Sequence, residues 1–150
     1  MTVALVDDQL LGAVLRGCAP GDLGSKQLFT TGYWYVRLCQ AVLTAQQRHG
    51  ALSRPFADLP AGLRSRALEA VLELPLEIGL VSLLELAPTT ARLRERHQLN
   101  ILSIEALAAA SHLRAEVFLS AESPRLADAL AQENLCVEIV STEPPERPSP

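Results

Sequence analysis

The chain opens with a four-residue apolar run, Val3-Ala4-Leu5-Val6, that stops on two acids, Asp7 and Asp8, before any helical pattern begins. Three more short apolar runs follow, at Ile78-Gly79-Leu80-Val81-Ser82, Glu116-Val117-Phe118-Leu119-Ser120 and Cys136 to Val140. Segments with helical spacing separate them. Strands that alternate with helices need crossover connections, and these build an open parallel sheet covered by helices on both faces. The fold class expected is α/β, a doubly wound parallel sheet of about four to five strands. In such a sheet the carboxyl ends of the strands open onto the ligand crevice, so an acid that directly follows a buried strand is a candidate for chemistry.

Composition supports one such domain. The chain has 150 residues, 49% of them hydrophobic and only 4% aromatic, so the core must be built from Leu, Ala and Val. Residues 1–140 are assigned to the domain; residues 141–150, rich in Pro and Glu, are expected to be a disordered tail. The net charge of −4 argues against a protein that coats nucleic acid nonspecifically. It leaves a nuclease open, because a metal site is itself a group of carboxylates. Lys26 is the sole lysine, a bias that a GC-rich genome explains better than phosphate binding does. Cys18, Cys39 and Cys136 are scattered and predict neither a zinc site nor a disulfide framework. No signal peptide or membrane span is read, and a cytoplasmic location is expected.

The spacing predicts a helix from Gln9 to about Arg16, ending at Gly17, then a loop over 18–26 with Pro20-Gly21 as a turn. A long helix is expected from Thr30 or Thr31 to Arg48, with Gly50 beyond its end. Asp58 is read as the cap of the next helix, with Pro60 in its first turn. Pro88-Thr89-Thr90 is read as the start of a charged helix through Arg96. Ser103 is taken to cap an alanine-rich helix from Ile104 to Leu113, and Ser123-Pro124 to open a helix lasting to about Asn134.

Asp7 and Asp8 end the first strand, and the simplest role for Asp8 is the cap of the helix that follows. Glu105 falls in the first turn of its helix, where an acid offsets the macrodipole. Glu122 follows the third of the strands read from the sequence, at the same sheet edge as Asp7. Carboxylates that converge without a lysine or histidine repel one another unless a divalent cation joins them, and such a site would suit metal-assisted phosphodiester hydrolysis.

The segment Leu102-Ser103-Ile104-Glu105-Ala106-Leu107, followed by Val117-Phe118-Leu119-Ser120-Ala121-Glu122 and Arg125-Leu126-Ala127, resembles the carboxyl half of PIN-domain proteins. The VapC-type toxins are the nearest group. Leu5-Val6-Asp7-Asp8-Gln9-Leu10-Leu11 resembles the first strand of that family. The likeness covers about residues 1–16 and 76–140 and is weak between. The resemblance implies a PIN-like sheet and a Mg²⁺- or Mn²⁺-dependent endoribonuclease of the toxin-antitoxin kind, with Asp7, Glu105 and Glu122 as metal-binding and catalytic acids. The partners it implies are RNA and an antitoxin or regulatory protein, and a homodimer is expected.

The chain departs from that pattern where it matters. The family's second acid stands early in the long helix, and Thr31-Gly32-Tyr33-Trp34-Tyr35-Val36-Arg37 contains none. Glu in place of Asp moves a carboxylate outward by one C–C bond, ~1.5 Å. Mg²⁺ holds its ligands at ~2.0–2.1 Å in near-ideal octahedra, and a ~1 Å misplacement can cost ~10²-fold in rate. The expectation is a PIN-like protein with weak or lost nuclease activity that acts by binding nucleic acid or protein; the alternative is an active endoribonuclease toxin. Three consecutive aromatics on one helix cannot all face inward, so Tyr33 and Trp34, with Arg37, are the candidate contacts for stacked bases or a partner. Arg92, Arg94 and Arg96 are read as a solvated helix face, and His49, His97 and His112 receive no catalytic role. A nucleotide-binding fold is disfavoured because no glycine-rich loop follows the first strand.

Overall fold

The computed structural model describes residues 2–45 and 50–142. Strand β1 (Val3–Val6) is central in an all-parallel five-stranded sheet of order β3-β2-β1-β4-β5. Its neighbours are β2 (Gln27–Thr30) and β4 (Glu116–Leu119), and the edges are β3 (Ile78–Leu80) and β5 (Val137–Ile139). Alternate β1 side chains go to opposite faces, as a period of two dictates. Ala4 and Val6 join one core with Leu10, Leu11, Leu38, Phe56, Val71 and Phe118, while Leu5 joins the other with Trp34, Leu107, Val117, Leu126 and Leu130. The doubly wound α/β expectation is met.

Helices α1 (Asp8–Leu15), α2 (Gly32–Leu43), α3 (Arg54–Ala57) and α4 (Ala61–Leu72) supply the first of these cores. Helices α5 (Leu83–Arg96), α6 (Ile101–Leu113) and α7 (Pro124–Gln132) supply the second. Seven consecutive residues of α6, Ile104–Ala110, are buried. A helix buried all round has no polar face, which accounts for its alanines and makes Glu105, at 2% exposure, conspicuous.

Several boundaries differ from the sequence reading. Gln27–Thr30, which the sequence reading assigned to no element apart from Thr30 as a possible helix start, is β2. Helix α2 stops at Leu43 with Thr44 as its cap; residues 46–49, including His49 and Arg48, lie outside the described residues, as does 143–150 of the expected disordered tail. Asp58 ends α3, and Pro60 precedes α4 as its cap. Asn100, rather than Ser103, caps α6 by accepting from the Ser103 N–H at 2.9 Å. Helix α5 begins at Leu83 because Ser82 Oγ caps the Glu85 N–H, and it runs through Pro88 instead of starting there. The proline ring removes the bond to the Leu84 carbonyl, and both residues are exposed, so water can replace it. Gly79 is fixed by a close approach: a Cβ there would lie 2.3 Å from the Phe29 ring. Among the described residues no helix is long and apolar enough to cross a membrane.

Candidate functional site at the carboxyl edge of the sheet

The chain leaves β1 toward β2 on one side and reaches β4 on the other, so the direction of winding reverses between β1 and β4. The helices that follow these strands, α1 and α7, pack into opposite cores. The carboxyl ends of the two strands therefore part at the place where such sheets bind ligands. Asp7 closes that gap. Its Oδ1 accepts the Leu10 N–H at 3.0 Å, which makes Asp7, not Asp8, the cap of α1. Its Oδ2 accepts both the N–H and the hydroxyl of Ser120, at the end of β4, each at 2.7 Å. Asp7 is thus a buried staple across the switch point, with charge-assisted bonds of the strong kind. One strand over, the Thr30 hydroxyl donates to the Val6 carbonyl at 3.0 Å.

Glu105 does similar work at α2. Its Oε1 accepts the Tyr33 N–H at 2.8 Å, while Thr31 Oγ1 accepts the Trp34 N–H at 3.2 Å. Its two carboxylate oxygens lie 3.6 and 3.8 Å from where a Cβ on Gly32 would stand. A buried carboxylate beside a helix start satisfies orphan N–H groups and the positive end of the dipole together. The first turn of α2, where the resemblance implies a second acid, is instead held by an acid from α6.

Asp8 is the acid whose weight the sequence did not show. It is buried; Oδ1 accepts the Gln9 N–H at 2.8 Å, and Oδ2 accepts no hydrogen bond, facing Arg37 Nε at 3.4 Å. Burial, reinforced by the charge of Asp7, pushes its carboxyl above the ordinary range despite Arg37. Glu122 is exposed on the loop between β4 and α7, lining a cavity of about 520 Å³ with Asn100, Ser103 and Arg125. Of the three acids read from the sequence, Asp7 and Glu105 are buried and held by protein donors, and Glu122 is outside. Trp34 is a core residue at 4% exposure, so the accessible side chains at this end of α2 are half-buried Tyr33 with exposed Val36 and Arg37.

A divalent ion needs carboxylate oxygens with free lone pairs at near-octahedral positions. Both Asp7 oxygens and one Glu105 oxygen already accept N–H or O–H groups. Among the described residues no three of His, Cys, Asp and Glu are grouped to hold a metal ion. As arranged, Asp7, Glu105 and Glu122 are not gathered into one donor set for Mg²⁺ or Mn²⁺.

A charged cluster of one acid and two basic side chains lies away from the crevice. Glu133 Oε1 receives Arg96 at 2.8 and 3.2 Å and meets His97 Nε2 at 2.8 Å, clasping the end of α5 to the end of α7. The bonds from His97 and Arg96 hold the Glu133 carboxyl below its usual range, His97 contributing most. Sequence alone assigns His97 no catalytic role and shows no sign of this partner, which is 36 residues away.

No family model matches the chain, and no curated protein is significantly similar to it.

Proposed function

We propose that this chain is a PIN-like module whose crevice acids serve as structure, and that it works by macromolecular contact with little or no hydrolysis. The observation that carries this reading is the bond from the Tyr33 N–H to Glu105. It spends the acid of α6 on capping α2 at the point where a further metal ligand is absent. Protein is favoured over nucleic acid as the partner: the net charge is −4, and Leu76, Leu83 and Leu84 are strongly exposed.

The alternative, an active metal-dependent endoribonuclease, draws support from one observation: Asp8 Oδ2 beside Asp7 accepts no hydrogen bond. The two readings part in one assay. A mixed RNA pool incubated with Mn²⁺ is expected to stay intact. Cleavage that disappears in Asp7→Ala and in Glu122→Ala would establish the nuclease and end the structural reading.

A further inference from the structure

We propose that the polar cavity between the carboxyl end of α5 and helix α7 binds the phosphate group of a small ligand, with Arg125 and His97 as its principal contacts. The cavity holds about 340 Å³, and its polar lining is Arg96, His97, Gln98, Arg125, Asp128 and Gln132. That volume is at the lower end for small-molecule sites, enough for a phosphate and a short organic group. Arginine, imidazole and amide side chains supply N–H donors, and Asp128 is the one acid among the lining residues. None of Asp7, Asp8 and Glu105 lines the cavity, so the inference does not depend on the chemistry of the crevice.

Glu133 sets which atoms face the cavity without a partner. Its Oε1 takes Arg96 Nε and Nη2 and meets His97 Nε2. Arg96 Nη1 and His97 Nδ1 remain, and neither makes a hydrogen bond among the described residues. His97 is 8% exposed, so its ring belongs to the cavity wall rather than to solvent. The lowered Glu133 carboxyl is ionised and keeps a proton on Nε2. As an imidazolium, Nδ1 donates to a phosphate oxygen; as a neutral ring, it accepts the P–OH of a monobasic phosphate. A phosphate suits the ring in either state, whereas an ionised carboxylate suits only the first. Arg125 carries the free charge. It is exposed, and although it also borders the cavity of Glu122, it pairs with neither Glu122 nor Asp128 among the described residues. Its planar guanidinium can hold two phosphate oxygens at once.

Titration of the full chain with inorganic phosphate, at an ionic strength held constant with chloride and followed by amide NMR shifts, tests it. Saturating shifts centred on Gln98, Arg125 and Gln132 are expected, with a Kd of ~1 mM, the strength of a few charge-assisted bonds. Arg125→Gln should weaken binding by ~10-fold or more. Asp128→Asn should tighten it by ~3-fold, because it removes the one acid from the wall, and a gain in affinity cannot come from a damaged fold. Arg92→Gln removes an exposed charge of α5 that does not line the cavity and should change nothing. Shifts that never saturate, an Arg125→Gln variant that binds like wild type, an Asp128→Asn variant that binds no more tightly, or an equal loss in Arg92→Gln would each overturn the proposal.

Discussion

Asp8 and Glu133 both sit beside an arginine, and their surroundings push them in opposite directions. Asp8, in the crevice, has one weak charged neighbour, an acid next to it and an oxygen without a hydrogen bond; burial prevails and its carboxyl is raised. Glu133, at the clasp of α5 and α7, has two good donors on one oxygen; they prevail over burial and its carboxyl is lowered. A counter-ion does not decide an acid's fate; the balance of desolvation against bonds actually made does. Asp7 and Glu105 are a third case, buried like Asp8 but supplied with donors like Glu133. The crevice therefore contains two acids that hold the fold together and one that strains it.

The largest effect should come from the acids with donors. Glu105→Ala strands the half-buried Tyr33 N–H and leaves a hole beside α6; a loss of ~2–3 kcal/mol is expected. That corresponds to a fall of roughly 4–12 °C in Tm for a chain of this size. Glu105→Gln keeps an acceptor and the shape and should lose less than half as much. Equal losses in thermal melts of the two variants would remove Glu105 from the capping role.

Asp8 should behave in the opposite sense. Its folded pKa lies above the unfolded value, so its stabilising contribution is complete below the unfolded pKa and is lost as pH rises through the folded one. Asp8→Asn should therefore raise Tm at pH 7, and the gain should shrink to nothing as pH falls to ~4. A variant that loses stability at pH 7 would show that Arg37 outweighs burial.

The smallest effect belongs to the clasp, since Arg96 is largely exposed and such pairs are worth little. With its folded pKa lowered, Glu133 contributes stability above its unfolded pKa and loses it as pH falls through the folded one. Glu133→Gln should lower Tm by ~1–2 °C at pH 7, and the difference should vanish in acid. A difference that persists in acid would mean that packing, not charge, holds α5 to α7.

The strands of this sheet were legible wherever an apolar run was long enough to stand out, as at Val3–Val6 and Val117–Leu119. Strand β2 was not, because Gln27-Leu28-Phe29-Thr30 offers only two apolar residues between polar ones and is a strand only through its pairing with β1 and β3. Pro88 reads as a helix start, but Ser82 had already begun the helix one and a half turns earlier. The acids themselves were visible; their partners were not. Ser120 is 113 residues from Asp7 and Tyr33 is 72 from Glu105, distances over which no local pattern carries information. Even the division of labour in Asp7-Asp8 turned on a side-chain bond to Leu10, which the dipeptide does not specify.

The central claim, that the crevice acids are committed to protein donors rather than to a metal, is tested most directly by the Tm of the wild-type chain in chelator and in increasing Mn²⁺. A ligand that binds only the folded state at 100 times its Kd adds ~2.7 kcal/mol, or roughly 5–11 °C here. The account predicts a Tm constant to within ~1 °C up to millimolar Mn²⁺. A saturating rise that Asp7→Ala abolishes would contradict it.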